Sequence, residues 1–274
     1  MSLVAATRSE LTKVFTTAAW WILGLVLLVY IGLFSAGLGF LLGALASGRL
    51  SGGAGNAPTL PADLLPPIIY SIATSFGYVF PLLIGALMVT SEFRNKTLTP
   101  TFLAVPARGR VLTAKVIAGV AVGLLFGVIG VVASVLPGAG VLASMGLETG
   151  LGSSDTWALL GRMLVSFVLW TLLGIGVGSV VRNQVVAIVV VLAFTQFVEP
   201  IARLAGGFVE ALEPVARFLP SAASDALVGA SALSIGLPTA SDPLEWWAGG
   251  LVLLAYAVVF VVLGAVTTWR RDVD

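Results

Sequence analysis

The 274 residues include no histidine and no cysteine, and only 10% of them are charged. Each shortage removes a class of chemistry. Without histidine there is no imidazole to serve as general base near neutral pH or as the commonest metal ligand. Without cysteine there is no disulfide and no thiolate nucleophile. HExxH, Ser-His-Asp and Cys-His arrangements are therefore excluded, and the remaining Ser, Thr, Lys and carboxylates form no recognisable nucleophile–base constellation. A net charge of +1 leaves no electrostatic footprint for nucleic acid. No G-x-x-x-x-G-K-[ST] occurs, so the chain cannot itself cradle ATP phosphates.

In place of charge the chain has apolar length. Hydrophobic residues make up 58% of it and the mean hydropathy is +1.08, whereas soluble domains run at about 25% charged residues. One aqueous core could not hide so much apolar surface, but a lipid solvent accepts it. The expected fold is therefore all-α: a single polytopic membrane domain over residues 1–274. Six runs approach the roughly 20 apolar residues that a span needs: 20–42, 68–90, 116–136, 157–181, 185–201 and 246–268. Trp20, Trp21, Trp157, Trp246, Trp247 and Trp269 sit at their ends, as aromatic-belt anchors do. The first run is too long for the core of a cleaved signal and is read as retained.

The basic residues give the orientation. With both termini cytoplasmic, the inner segments hold Arg8, Lys13, Arg94, Lys96, Arg108, Arg110, Lys115, Arg182, Arg270 and Arg271. The outer segments hold Arg49, Arg203 and Arg217, and Arg162 lies within the fourth span. That bias places both termini inside, in a cell (plasma) membrane.

Three stretches lie between or before the spans. Residues 1–19 put Val4, Leu11, Phe15 and Ala18 on one helical face opposite Arg8 and Lys13, which suits an amphipathic helix on the inner leaflet. Residues 203–245 are broken by Pro214, Pro220, Pro238 and Pro243. Within them, 222–237 is apolar but short, so a re-entrant or interfacial helix is expected there instead of a seventh span. The Gly/Ser/Asn/Pro stretch 51–61 reads as an outer loop.

The most informative segment is the cytoplasmic loop 91–115, SEFRNKTLTPTFLAVPARGRVLTAK. Thr99 and Pro100 suit an N-cap followed by proline at the first helical position, and Pro106 stops the helix. The short helix so defined carries Phe102, Leu103 and Val105, with Leu98 just before it. Large apolar side chains with a basic rim of Arg94, Lys96, Arg108, Arg110 and Lys115 suit a docking surface, and they equally suit a loop that dips into the membrane interface.

The loop resembles the signature of the type-2 permease family of ATP-binding-cassette (ABC) transporters. In that family a span ends in Ser-Glu-aromatic-Arg. Thr-Leu, a short Leu/Phe-rich helix, Pro, an Arg-containing turn and a Lys opening the next span follow. Ser91, Glu92, Phe93, Arg94, Thr97, Leu98, Phe102, Leu103, Pro106, Arg108 and Lys115 match, and Lys96 stands where the family usually has glycine. The stretch 219–227, LPSAASDAL, is also similar. The resemblance implies a coupling helix over 99–105, with Glu92, Arg94, Thr97, Leu98, Pro100, Phe102, Leu103, Pro106, Arg108 and Lys115 as ATPase-docking residues. It further implies a separate ABC ATPase subunit that uses ATP and Mg, a second permease subunit (the same chain or a related one) and alternating access that drives export. No catalytic residue, metal or cofactor is expected on this chain. The apolar interior fits a lipid, a hydrophobic drug or an amphipathic peptide. The alternatives are an ion-coupled secondary transporter, disfavoured because the span centres lack acids, an intramembrane enzyme, and a non-transporting immunity or anchor protein.

Small residues at four-residue spacing let helices approach closely. Gly119, Gly123 and Gly127, echoed by Gly39/Gly43 and by Gly174/Gly178, are read as packing within one subunit in preference to a dimer seam. Arg162 and Glu199 lie near the outer ends of spans 4 and 5, and an Arg162–Glu199 or Glu199–Arg203 pair is expected. Pro81 is a candidate kink in span 2.

Overall fold

The computed structural model describes residues 2–49, 61–97, 100, 101, 103, 107–235 and 244–267, with the side chains of 210, 234 and 235 excepted. Among these residues the chain is helical and has no strand. Backbone N–H and C=O groups have no water partner in hydrocarbon, so a chain this apolar satisfies them within its own helices. Six helices are long and apolar enough to cross a membrane: Ala19–Ala46, Ala62–Arg94, Arg108–Ser144, Ser154–Val180, Gln184–Phe208 and Trp246–Thr267. We call them spans 1 to 6. Spans 1, 2, 3 and 5 run past both ends of the apolar runs that announce them.

Successive spans alternate in direction. The basic residues Arg8, Lys13, Arg94, Lys115 and Arg182 gather at one end of the bundle, here the basic end. A shorter helix, Leu3–Phe15, precedes span 1 and packs at that end against the start of span 3. It is capped by the Ser2 hydroxyl, which accepts from the Ala5 N–H at 3.2 Å.

Span 2 is the most enclosed and is not one rod. It is built of Leu65–Tyr70, Ile72–Gly77 and Val79–Arg94, with breaks at Ser71 and Tyr78. Pro81 lies in the first turn of the last piece, where its missing N–H removes no intrahelical bond. The break thus falls just before the proline. Pro137 lies inside the continuous helix of span 3; nearby, the Ser35 hydroxyl of span 1 donates to the Ser134 carbonyl at 2.6 Å.

Hydrophobic transfer from water cannot drive helices together in lipid, so the spans associate by close packing. The glycines place it. Methyl groups on Gly85 and Gly174 would overlap the Thr171 and Leu82 carbonyl oxygens, which brings the backbones of spans 2 and 4 together. Gly178 faces Ala86 of span 2. Gly119, Gly123 and Gly127 of span 3 meet Ile175, Val168 and Leu164 of span 4, and Gly43 of span 1 meets Met145. Gly39 is looser, 3.7 Å from Ile69. All these partners are in the same chain. Buried between the spans are Tyr70, Phe126, Phe167 and Trp170, with the Tyr78 and Trp170 rings 4.5 Å apart.

At the far end, span 5 continues into short helices at Glu213–Ala216 and Pro220–Val228. Pro214 and Pro220 both occupy first-turn positions. The second helix stops at Gly229, whose φ of 82° is a left-handed conformation that glycine adopts without penalty. The region expected to hold a re-entrant helix thus holds this nine-residue helix, packed on spans 4 and 6. Pro238, Pro243 and the loop 51–60 lie outside the described residues.

Gly174→Ala should lower the thermal transition of the purified protein by about 1–3 kcal/mol of stability, the usual cost of overpacking. Gly140→Ala, which meets nothing within 4 Å, should leave it unchanged. Equal transitions for the two variants would mean that spans 2 and 4 are not held at glycine distance.

Candidate functional site

Two acidic and two basic side chains meet at the basic end. The N-terminal helix buries Ala6, Glu10 and Val14, spaced four apart on one face. This is not the apolar face foreseen from the sequence: Val4 and Phe15 remain exposed, and a carboxylate is what the helix turns inward. Lys13, expected opposite that apolar face among the solvated bases, also turns to the bundle. Its Nζ is 2.6 Å from Glu10 Oε1 and 2.5 Å from Glu92 Oε1. On the other side Lys115 Nζ contacts Glu10 Oε2, lies 3.3 Å from Glu92 Oε2 and donates to the Met88 carbonyl at 3.0 Å.

These contacts close into a ring, Glu10–Lys13–Glu92–Lys115. Both carboxylates use both oxygens, charges alternate around it, and its net charge is zero. Lys115 is 0% exposed and Glu92 is 3% exposed. An ammonium buried so deeply is costly unless it is paired and hydrogen-bonded. Three of the four contacts are hydrogen bonds, while Glu92 Oε2 is within ion-pair reach of Lys115 without an aligned hydrogen bond.

The ring shifts its members outside the spans. Burial alone would push the Glu10 carboxyl up, but Lys115 and Lys13 outweigh it and hold Glu10 below its ordinary value of 4.5. Burial would likewise lower Lys13, and Glu92 and Glu10 more than compensate, raising it above its ordinary 10.5.

Glu92 ends span 2 and Lys115 lies two turns into span 3, so the ring closes across the base of the loop 91–115 and pins the N-terminal helix to both sides of it. After Glu92 the helix is terminated by a backbone motif. The Thr97 N–H donates to the Glu92 carbonyl at 3.0 Å, the Lys96 N–H donates to the Phe93 carbonyl at 3.3 Å, and Lys96 adopts φ 53°. This is the left-handed stop at which glycine is usual, so it gives a physical reason for the glycine that Lys96 replaces in the resemblance.

Several of the other described loop residues face outward. Arg94, Thr97, Pro100 and Leu103 are exposed, Leu103 at 80%. Arg94 Nη1 reaches Gln184 Oε1 at 3.5 Å, at the start of span 5. Arg108 opens span 3 and is half-buried. Leu98, Thr99, Phe102, Val105 and Pro106 lie outside the described residues. Among the described residues no group of His, Cys, Asp and Glu is arranged to hold a metal.

Neither expected pair of Arg162 and Glu199 forms. Arg162 Nε donates to the Ala158 carbonyl at 3.3 Å and its guanidinium lies 5.9 Å from the Trp246 ring centre. Glu199 instead accepts the Ser221 N–H, and Arg203 pairs with Asp225 at 2.9 Å. The cause is the 220–228 helix, which brings its own acceptors and donors between the spans. Glu10 was not singled out from the sequence. Its signal was an acid three residues before Lys13 on the face of Ala6 and Val14, in a segment otherwise basic.

Compared with family models and with curated proteins, the chain finds no match.

Lys115→Met should cost about 3–5 kcal/mol in detergent unfolding, because it leaves two buried carboxylates to share the single ammonium of Lys13. Adding Glu10→Gln to it should cost less than the two single effects summed; strict additivity would mean that the two side chains do not meet. A carboxyl held below its ordinary value stabilises the fold above about pH 4.5 and loses that contribution as the pH falls through the lowered value. A lysine raised above its ordinary value contributes below about pH 10.5 and is lost as the pH climbs through the raised one. Protease accessibility of residues 2–16 should therefore rise at both extremes and stay low between them. Lys96→Gly should stabilise by about 1 kcal/mol, the cost of a left-handed residue with a side chain, and a neutral or destabilising result would count against that conformation.

Proposed function

We propose that this chain is the membrane-spanning permease subunit of an ATP-driven ABC transporter, working as an exporter. The observation that carries this reading is the ring Glu10–Lys13–Glu92–Lys115 closing across the base of the loop 91–115. Both ends of the loop, and the helix lying beside them, are joined in one low-dielectric charge cluster. A push on the loop would therefore reach spans 2 and 3 together and would not be absorbed locally. Leu103 stands exposed beyond the ring with basic residues around it, as an anchor for a partner's pocket would.

On this reading a separate ATPase subunit docks on 91–115, and ATP-driven closure of two such subunits tilts paired permeases between inward- and outward-facing states. The basic end then faces the cytosol of a cell membrane, by the positive-inside rule. The N-terminal helix lies on the inner leaflet through the exposed Val4 and Phe15. The second permease copy packs against lipid-facing spans, and the substrate is hydrophobic or amphipathic.

The test is isolation of the chain from its native membrane in mild detergent, with identification of what remains bound. A stoichiometric ATPase is expected with the wild-type chain and should be lost from Phe102→Asp/Leu103→Asp, with the spans still inserted. A complex that survives the double substitution removes the coupling-helix assignment. The absence of any ATPase, in several detergents and with nucleotide present, removes the permease reading.

A further inference from the structure

The far end of the bundle holds a cavity of about 1030 Å³ bounded by spans 2, 4, 5 and 6 and by the short helices that follow span 5. Its size suits a drug-sized or lipid-headgroup ligand, since such sites run to about 300–1,000 Å³. Three arginines line it, Arg162, Arg203 and Arg217, against two carboxylates, Asp225 and Glu245.

The arginines are not equivalent. Arg203 is neutralised: it pairs with Asp225 Oδ2 at 2.9 Å, and Asp225 also accepts from Ser231 at 2.7 Å and Ser75 at 3.2 Å. Glu199, behind this wall, takes the Ser221 N–H. Arg162 and Arg217 form no ion pair among the described residues. Arg162 is held by the Ala158 carbonyl and the Trp246 ring. Arg217 packs 5.2 Å from the Phe218 ring centre, and its Nε is buried without a hydrogen-bond partner. A buried donor left without an acceptor is costly, and a ligand oxygen would remove that cost.

The backbone around the cavity is shaped to suit. At Phe194–Val198 span 5 widens into a π-helical turn, a feature frequent at functional sites, and this turn supplies Thr195 and Gln196 to the wall. Gly229 lies so close to Arg162 that a Cβ there would be 2.9 Å from Nη1. The absent side chain leaves the guanidinium its place. Apolar Phe76, Leu204 and Leu233 complete the lining.

We propose that this cavity binds the phosphate group of an amphipathic molecule, with Arg162 and Arg217 as the anion-binding residues and the apolar wall taking the adjoining hydrocarbon. Two separately held guanidiniums offer several N–H donors to a tetrahedral oxyanion. The phosphate comes either from a lipid headgroup or from a soluble phosphate. The site lies at the opposite end of the bundle from the loop, needs no ATPase, and stands or falls separately from the docking reading.

The test uses the full chain in a neutral detergent, with tryptophan emission as readout and Trp246→Phe to identify the reporting residue. Dihexanoyl phosphatidic acid should bind saturably and dihexanoylglycerol should not. Arg162→Ala and Arg217→Ala should each weaken the phosphatidate by about tenfold or more, as loss of a charge-assisted hydrogen bond does. Leu204→Trp, which fills the cavity and keeps both arginines, should also abolish binding, so the outcome does not rest on the arginine variants alone. Inorganic phosphate that binds alone with the same arginine dependence identifies a soluble phosphate; binding of the phosphatidate only identifies a lipid headgroup. Equal binding of dihexanoylglycerol, phosphatidate affinity unchanged in both arginine variants, or no binding of any probe overturns the proposal.

Discussion

At each end of this apolar bundle a charge is buried together with its opposite. Lys115 is fully buried, and its ammonium is tolerable because two carboxylates and a carbonyl surround it. The same rule governs the far end, where Arg203 and Asp225 enter the packing together. At the basic end this necessity does structural work that hydrophobicity cannot. Apolar side chains in lipid are equally content against lipid or protein, whereas the carboxylate of Glu10 has its partners in one place. The N-terminal helix is thereby fixed in position and rotation by the one acid it carries.

Close packing supplies what the charges do not. Spans 2 and 4 meet through Gly85, Gly174 and Gly178, where backbone lies against backbone. Each pair of atoms so apposed gains little, but the contact is continuous along several turns. Span 4 also receives the glycines of span 3 and, through Gly176, contacts Phe260 of span 6. It is the element around which the others are arranged, and its position is set by what the glycines omit.

Much of this was legible in the sequence, for one-dimensional reasons. Span number and order follow from apolar length alone, and each of the six expected runs overlaps a helix long enough to cross a membrane. The glycine spacing marked the faces of close approach. What could not be read is what depends on three dimensions. Glu10, Glu92 and Lys115 are far apart along the chain, and their charges gave no sign that they meet. Arg162 and Glu199 were expected to pair because both lie near the same ends of neighbouring spans, but the 220–228 helix intervenes. The loop 91–115 stood out by its motif, and the structure adds the left-handed Lys96 and the ring at its base, while Phe102 and Pro106 lie outside the described residues.

The unequal enclosure of the spans bears on how such a chain varies. In span 2, 89% of the apolar window is buried inside the bundle, against 22% in spans 5 and 6 and 28% in span 1. Substitutions in the exposed spans need only remain greasy and helical, because lipid conforms to any outline. In span 2 each side chain has neighbours of fixed shape on all sides. Drift is therefore cheap on the periphery and expensive at the centre, and spans 1 and 6 are free to acquire new contours, including those that select a neighbour, without disturbing the helices that carry the buried charges, span 5 with Glu199 and Arg203 among them.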